Sequence, residues 1–85
     1  MRRGLGAAPT LAQQCAGFAD VTAFLAERYG EAVAVRGLDA AGNAIVMFAN
    51  PDTGTWTAFI VTPDGNACRV ADGVAFEYHK PKPNA

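Results

Sequence analysis

The sequence predicts one small α+β domain, in which a single N-terminal helix packs on a four- to five-stranded antiparallel β-meander. Three observations predict it. Residues 18–29 have helical spacing of apolar side chains, the period changes to two after Gly30, and turn residues separate the later apolar runs by connections of hairpin length. The 85 residues are enough for one hydrophobic core. We therefore assign residues 15–78 to a single domain.

The helix has one apolar face and recognisable ends. Asp20 suits the first turn, Arg28 suits the last turn, and Gly30 can adopt the positive φ that stops a helix. The face is made by Phe18, Val21, Phe24, Leu25 and Tyr29.

Five apolar runs follow, at residues 32–36, 44–49, 55–62, 67–71 and 74–78. The run 44–49 is apolar on both faces, which is typical of a central strand. Turn chemistry lies at residues 50–54 and 63–66, and Asp72-Gly73 predicts a last tight hairpin. Short connections predict antiparallel neighbours throughout.

The two termini are predicted to lie outside the domain. Residues 1–14 are expected to be a disordered tail or a degenerate export signal, because Arg2 and Arg3 resemble a charged n-region but residues 4–8 are shorter than an apolar h-region. Residues 79–85 carry two prolines and are expected to form a disordered tail. No run of residues is long and apolar enough for a transmembrane segment.

Cys15 and Cys68 are the only cysteines. With one histidine, His79, they cannot complete a structural zinc site, which leaves a disulfide or two buried thiols. We favour the disulfide. It would close a loop of about 53 residues, contribute on the order of 3–4 kcal/mol, and imply an oxidising compartment.

The charge distribution indicates which classes of binding partner are compatible with the domain. The net charge is −1, but between residues 15 and 78 three arginines stand against eight acidic residues, which gives 3 − 8 = −5. An acidic body repels phosphate, so nucleic acid is an unfavourable partner, whereas a basic protein surface is compatible. The simpler interpretation is that the acids solvate turns.

No catalytic set is predicted. His79 lies in a Pro-Lys tail, the glycines are dispersed singly among turns, and carboxylates such as Asp64 and Asp72 have roles as turn residues. We therefore expect no enzymatic activity, no metal and no cofactor.

Four residues are candidates for protein binding: Trp56, Tyr78, Arg36 and Arg69. Trp56 either packs in the core opposite the helix or forms an exposed patch with Tyr78, since both residue types are enriched in interface hot spots. Arg36 and Arg69 would lie at its rim, or would simply solvate the outer face of the sheet.

Several segments together resemble a group of small exported proteins of alphaproteobacteria and their phages. They are Tyr29-Gly30-Glu31, Thr53-Gly54-Thr55-Trp56-Thr57 and the cysteines at 15 and 68. The resemblance covers roughly residues 15–76. It implies the same domain and disulfide, and no particular activity.

These observations favour a non-catalytic binding module that is periplasmic, envelope-associated or secreted. It would bind or inhibit a protein through an edge strand or an exposed sheet face. The alternative is a phage-derived accessory protein, either a virion component or a cytoplasmic antagonist of host defence. An enzyme that uses a reactive cysteine is a third and less favoured hypothesis.

Overall fold

The computed structural model describes residues 14–79. One five-stranded antiparallel sheet, with the strand order β1-β5-β4-β3-β2, carries one helix. The elements in chain order are β1 (Cys15–Gly17), α1 (Phe18–Tyr29), β2 (Ala32–Leu38), β3 (Ala44–Ala49), β4 (Trp56–Val61) and β5 (Asn66–Gly73). The α+β class, the N-terminal helix and the meander order of the long strands are confirmed. The predictions for residues 1–13 and 80–85 lie outside the described residues.

The core lies between α1 and one face of the sheet. Val21 and Leu25, one turn apart on the helix, pack on alternate residues of the central strands and on Ala67 of β5. The sheet contributes Val46, Phe48, Phe59 and Val61 to this core. Phe48 is fully buried and contacts Phe59 edge to face, with ring centroids 5.7 Å apart.

The predicted strand at 74–78 is wrong, and the fifth strand is β1, which pairs with β5 at the edge where that strand was expected. Strand β5 continues through Asp72 to Gly73 instead of turning there. The Trp56 ring lies against Gly73, where a Cβ atom would approach it to 2.9 Å, and Trp56 Nε1 donates to the Val74 carbonyl at 3.1 Å. Ala75 then has a φ of 59°. The chain therefore leaves the sheet where a hairpin was expected.

The disulfide joins residues that the sheet already places opposite each other. Cys15 of β1 and Cys68 of β5 are direct partners in the antiparallel ladder, with Cα atoms 4.0 Å apart and a bonded S–S distance of 2.11 Å. The predicted Cys15–Cys68 bond is thus present, and it fixes the entry to α1 against the sheet.

The helix ends as predicted at Gly30, which has a φ of 63°. The Gly30 N–H donates to the Ala26 carbonyl and the Glu31 N–H donates to the Leu25 carbonyl, each at 3.1 Å. Asn50 Nδ2, from the turn between β3 and β4, donates to the Tyr29 carbonyl at 3.0 Å. These bonds turn the chain back under the helix and direct Glu31 into the interior.

Candidate functional site

The structure presents two surfaces with binding chemistry. One is a cleft of about 700 Å³ between α1 and the sheet, called here the α1 cleft. The other is the sheet face that α1 does not cover, called here the outer face.

The α1 cleft has a polar floor formed by residues that point toward the helix. Glu31 is only 2% exposed and Thr57 only 6%. The Thr57 hydroxyl donates to Glu31 Oε1 at 2.9 Å. A hydrogen bond of this kind offsets part of the cost of removing a carboxylate from water.

Arg69 forms the cationic part of the floor. Its Nη1 bonds Asp72 Oδ2 at 2.8 Å, and its Nη2 donates to Gln14 Oε1. Arg69 Nε is buried and has no hydrogen-bond partner among the described residues. Both terminal nitrogens of the Arg69 guanidinium are therefore engaged within the protein, and neither of them bonds to Glu31.

The helix side of the cleft is aromatic and apolar. Phe24 is 52% exposed and Tyr29 is 48% exposed. Their rings pack edge to face with centroids 6.1 Å apart. Together with Leu25, they give the cleft the mixture of an apolar wall and a few convergent polar groups that is typical of small-ligand sites.

The outer face is apolar without interruption by charge. Cross-strand partners share a face, and the register pairs Val35 with Met47 and Ile45 with Ile60 on the side away from the helix. The strands contain three charged residues, and all of them lie on the helix side, since their partners there are Val46, Phe59 and Thr57. Those three are Arg36, Arg69 and Asp72.

Part of the outer face is open to solvent. Val35 is 48% exposed and Ile45 is 41% exposed, while Met47 and Ile60 beside them are half-buried. We call these four residues the outer patch. Monomeric soluble proteins rarely leave contiguous apolar patches open, so this patch is a candidate interface.

The outer patch adjoins a strand edge that no described residue pairs with. Within residues 14–79, strand β2 is at the end of the sheet, pairs only with β3, and is exposed along all seven of its residues. A bulge interrupts its register between Val33 and Val35, so the regular part of the ladder runs from Val35 to Leu38.

The four residues predicted to bind protein do not form one site. Trp56 and Arg69 both border the α1 cleft, whereas Arg36 and Tyr78 do not. Trp56 is half-buried and outside the core cluster, so the prediction that it packs in the core is wrong, while the alternative of a patch with Tyr78 stays a prediction. Tyr78 is 64% exposed.

The expectation that Arg36 and Arg69 solvate the outer face is also wrong. Each arginine pairs with a core residue in a regular part of the ladder, Arg36 with Val46 and Arg69 with Phe59, so both lie on the helix side of the sheet. Sequence reasoning further missed Glu31 and Thr57. A glutamate directly after a C-terminal helix glycine was a signal for Glu31, but no local pattern singled out Thr57.

Within residues 14–79, helix α1 is too short to cross a membrane. The same part of the chain holds no group of three or more His, Cys, Asp or Glu side chains that could bind a metal ion. In comparisons with known proteins, no family model, no curated protein and no solved structure matches this chain. The function is therefore argued from the two surfaces alone.

Proposed function

We propose that this protein is a non-catalytic binding module of the cell envelope, and that it binds a basic protein partner through the outer face. The observation that carries the proposal is the absence of any charged residue on this face across the strands, combined with the exposure of Val35 and Ile45. Apolar surface removed from water contributes roughly 25 cal/mol per Å², so a partner that covers the patch gains free energy.

The edge of β2 provides backbone groups with which a strand of the partner can pair. An unpaired strand edge offers backbone N–H and C=O groups to an incoming strand, and exposed side chains next to it add specificity. The stretch from Val35 to Leu38 satisfies both conditions, because Leu38 is 77% exposed at its end. A partner strand paired there would extend the sheet and bring partner side chains onto the outer patch.

Charge favours a different protein over a second copy of this chain. The whole chain carries a net charge of −1, but residues 15–78 carry 3 − 8 = −5 charges, so the domain attracts a basic surface more than the same acidic domain of a second copy. The proposed partner is therefore a protein with a basic surface around an exposed strand or an apolar patch.

The disulfide supports an envelope location. Disulfides persist in oxidising compartments such as the bacterial periplasm and are rare in the cytosol. Intact mass of the chain recovered from its native host, with and without reductant, tests this part of the proposal. A mass lower by two hydrogens in an envelope fraction is expected. Two alkylatable cysteines in a cytoplasmic fraction would overturn the location and favour the phage-derived alternative.

The binding surface is tested with the charge-introducing variant Ile45→Lys and the matched control Ala23→Lys, which adds the same charge on an exposed helix residue. Each oxidised protein is immobilised and exposed to envelope extract of the native host, and every captured protein is purified for titration. A partner that binds wild type and Ala23→Lys at 1:1, but binds Ile45→Lys at least about tenfold more weakly, supports the proposal.

Three results would overturn the proposed surface. They are a purified partner that binds Ile45→Lys as well as wild type, an extract in which no protein distinguishes the two, and a wild-type chain that dimerises by light scattering while Ile45→Lys is monomeric. The last result would assign the outer face to self-association.

A further inference from the structure

We propose that the α1 cleft binds a small amphipathic amine, whose ammonium group pairs with Glu31 and whose apolar body packs on Phe24 and Tyr29. This site lies on the helix side of the sheet, so the inference is independent of the protein-binding surface proposed for the outer face.

Glu31 is only 2% exposed, and its carboxylate makes no ion pair within residues 14–79, where Arg69 pairs with Asp72 and His79 Nε2 contacts Glu77 Oε1. A buried carboxylate is costly unless it is both hydrogen-bonded and paired with a cation. The Thr57 hydroxyl supplies the hydrogen bond. No residue in the described part of the chain supplies the cation, so a bound ligand is the proposed source.

The basic side chain that lines the cleft, Arg69, is already engaged by other residues of the protein. Arg69 is held by Asp72 at 2.8 Å and by Gln14. Among the residues that line the cleft, Glu31 and Asp72 are acidic and Arg69 is basic, so their formal charges sum to −1. The field in the cleft therefore favours a cation and opposes a carboxylate or phosphate ligand.

The size and lining of the cleft suit a small ligand with an apolar part. A volume of about 700 Å³ falls within the range of small-molecule sites. Phe24 and Tyr29 form a half-exposed aromatic pair beside it. Aromatic rings attract both an alkyl chain and a nearby ammonium group. An amine with an apolar body would therefore pack its body on the aromatic side of the cleft and place its ammonium group on the polar floor.

The test is a titration of the full-length oxidised protein, followed by backbone amide NMR, with three probes of equal chain length: n-hexylammonium, 1-hexanol and hexanoate. We expect saturable shifts at Glu31, Thr57 and Phe24 with hexylammonium. Binding of the alcohol and the carboxylate is expected to be weaker by about tenfold or more, because only the ammonium forms the ion pair.

The variant Glu31→Gln keeps the shape of the side chain and removes its charge. It is expected to bind hexylammonium no better than hexanol, while Ile45→Lys retains wild-type amine binding. Equal binding of hexylammonium and hexanol by wild type would overturn the inference, as would a lack of cleft shifts at saturating probe or a Glu31→Gln variant with unchanged preference. If Glu31→Gln does not fold, the three-probe comparison on wild type decides alone.

Discussion

Glu31 and Thr57 form a buried hydrogen bond of 2.9 Å that joins the end of α1 to the middle of the sheet. The two residues are 26 positions apart, and each is almost completely removed from solvent. The bond ties the floor of the α1 cleft to the helix turn at Gly30. The same hydrogen bond therefore contributes to the stability of the fold and forms part of the polar floor of the cleft.

Thr57→Val removes this hydroxyl and keeps the shape of the side chain. We expect a loss of about 1–3 kcal/mol in the free energy of unfolding, because the Glu31 carboxylate is then buried without its donor. Urea denaturation followed by circular dichroism measures it. Thr55→Val is the matched control, since the Thr55 hydroxyl contacts only the exposed Thr53 hydroxyl at 3.2 Å, and it should change stability by about 0.5 kcal/mol or less. Equal effects of the two variants would contradict a special role for Thr57.

The disulfide is expected to be a large part of the stability. Reduction, or the double variant Cys15→Ala with Cys68→Ala, should lower the free energy of unfolding by about 3–4 kcal/mol, because the bond closes a 53-residue separation in the unfolded chain. Chemical denaturation of the oxidised and reduced protein at the same pH measures the difference. A shift below about 1 kcal/mol would show that the β1–β5 ladder holds this edge without the bond.

Three glycine-to-alanine variants separate backbone strain from crowding at the helix end. Gly37→Ala should be nearly neutral, because a Cβ atom there contacts nothing within 4 Å and the backbone is in a strand. Gly42→Ala introduces a side chain at a φ of 89° in open space and should cost about 1 kcal/mol.

Gly30→Ala should cost the most, about 2–3 kcal/mol, since it adds a contact of 2.8 Å with Asn50 Nδ2 to the same unfavourable φ. Thermal and urea denaturation of the three variants measure the series. If Gly30→Ala were no worse than Gly42→Ala, Asn50 would be free to move away, and its bond to the Tyr29 carbonyl would contribute little.

Two exposed turn carboxylates, Asp39 and Asp64, are expected to make the stability depend on pH in the acidic range. The backbone N–H of Asn43 holds the pKa of Asp39 below its ordinary value of 3.8, and the Thr62 hydroxyl does the same for the pKa of Asp64. A pKa lowered in the folded state contributes stability above the unfolded value, and this contribution is lost as the pH falls through the lowered folded value.

Stability should therefore decrease as the pH falls below about 3.8. Asp39→Asn combined with Asp64→Asn should flatten this part of the profile, because neither amide titrates. Thermal melting across acidic pH compares the double variant with wild type. An unchanged slope would assign the acid sensitivity to other carboxylates.

Much of the fold was predictable because the relevant signals are local. The helical spacing from Phe18 to Tyr29, the stop at Gly30 and the turn chemistry at Pro51 and Gly65 each act within a few residues. The strands of the meander follow from short connections, which leave antiparallel pairing as the simple arrangement. The cysteine count also predicted the disulfide.

The two surfaces were not predictable in the same way, because they depend on register. Arg36 lies on the helix side because it pairs with Val46, and Arg69 because it pairs with Phe59. A shift of one residue in either pairing register would reverse the face, and local composition does not encode that register. The end of β5 depends in the same way on the Trp56 ring over Gly73, across a separation of 17 positions.

Propensity, periodicity and turn preference operate over a few neighbouring residues, so they predict the class of fold, the helix and its end, the four long strands and the cysteine pair. Other features were visible only once the chain was folded: the place of β1 in the sheet, the burial of Glu31 against Thr57, and the absence of charged strand residues on the outer face. These features arise from contacts between residues distant in the chain, whose free energies depend on packing and pairing register.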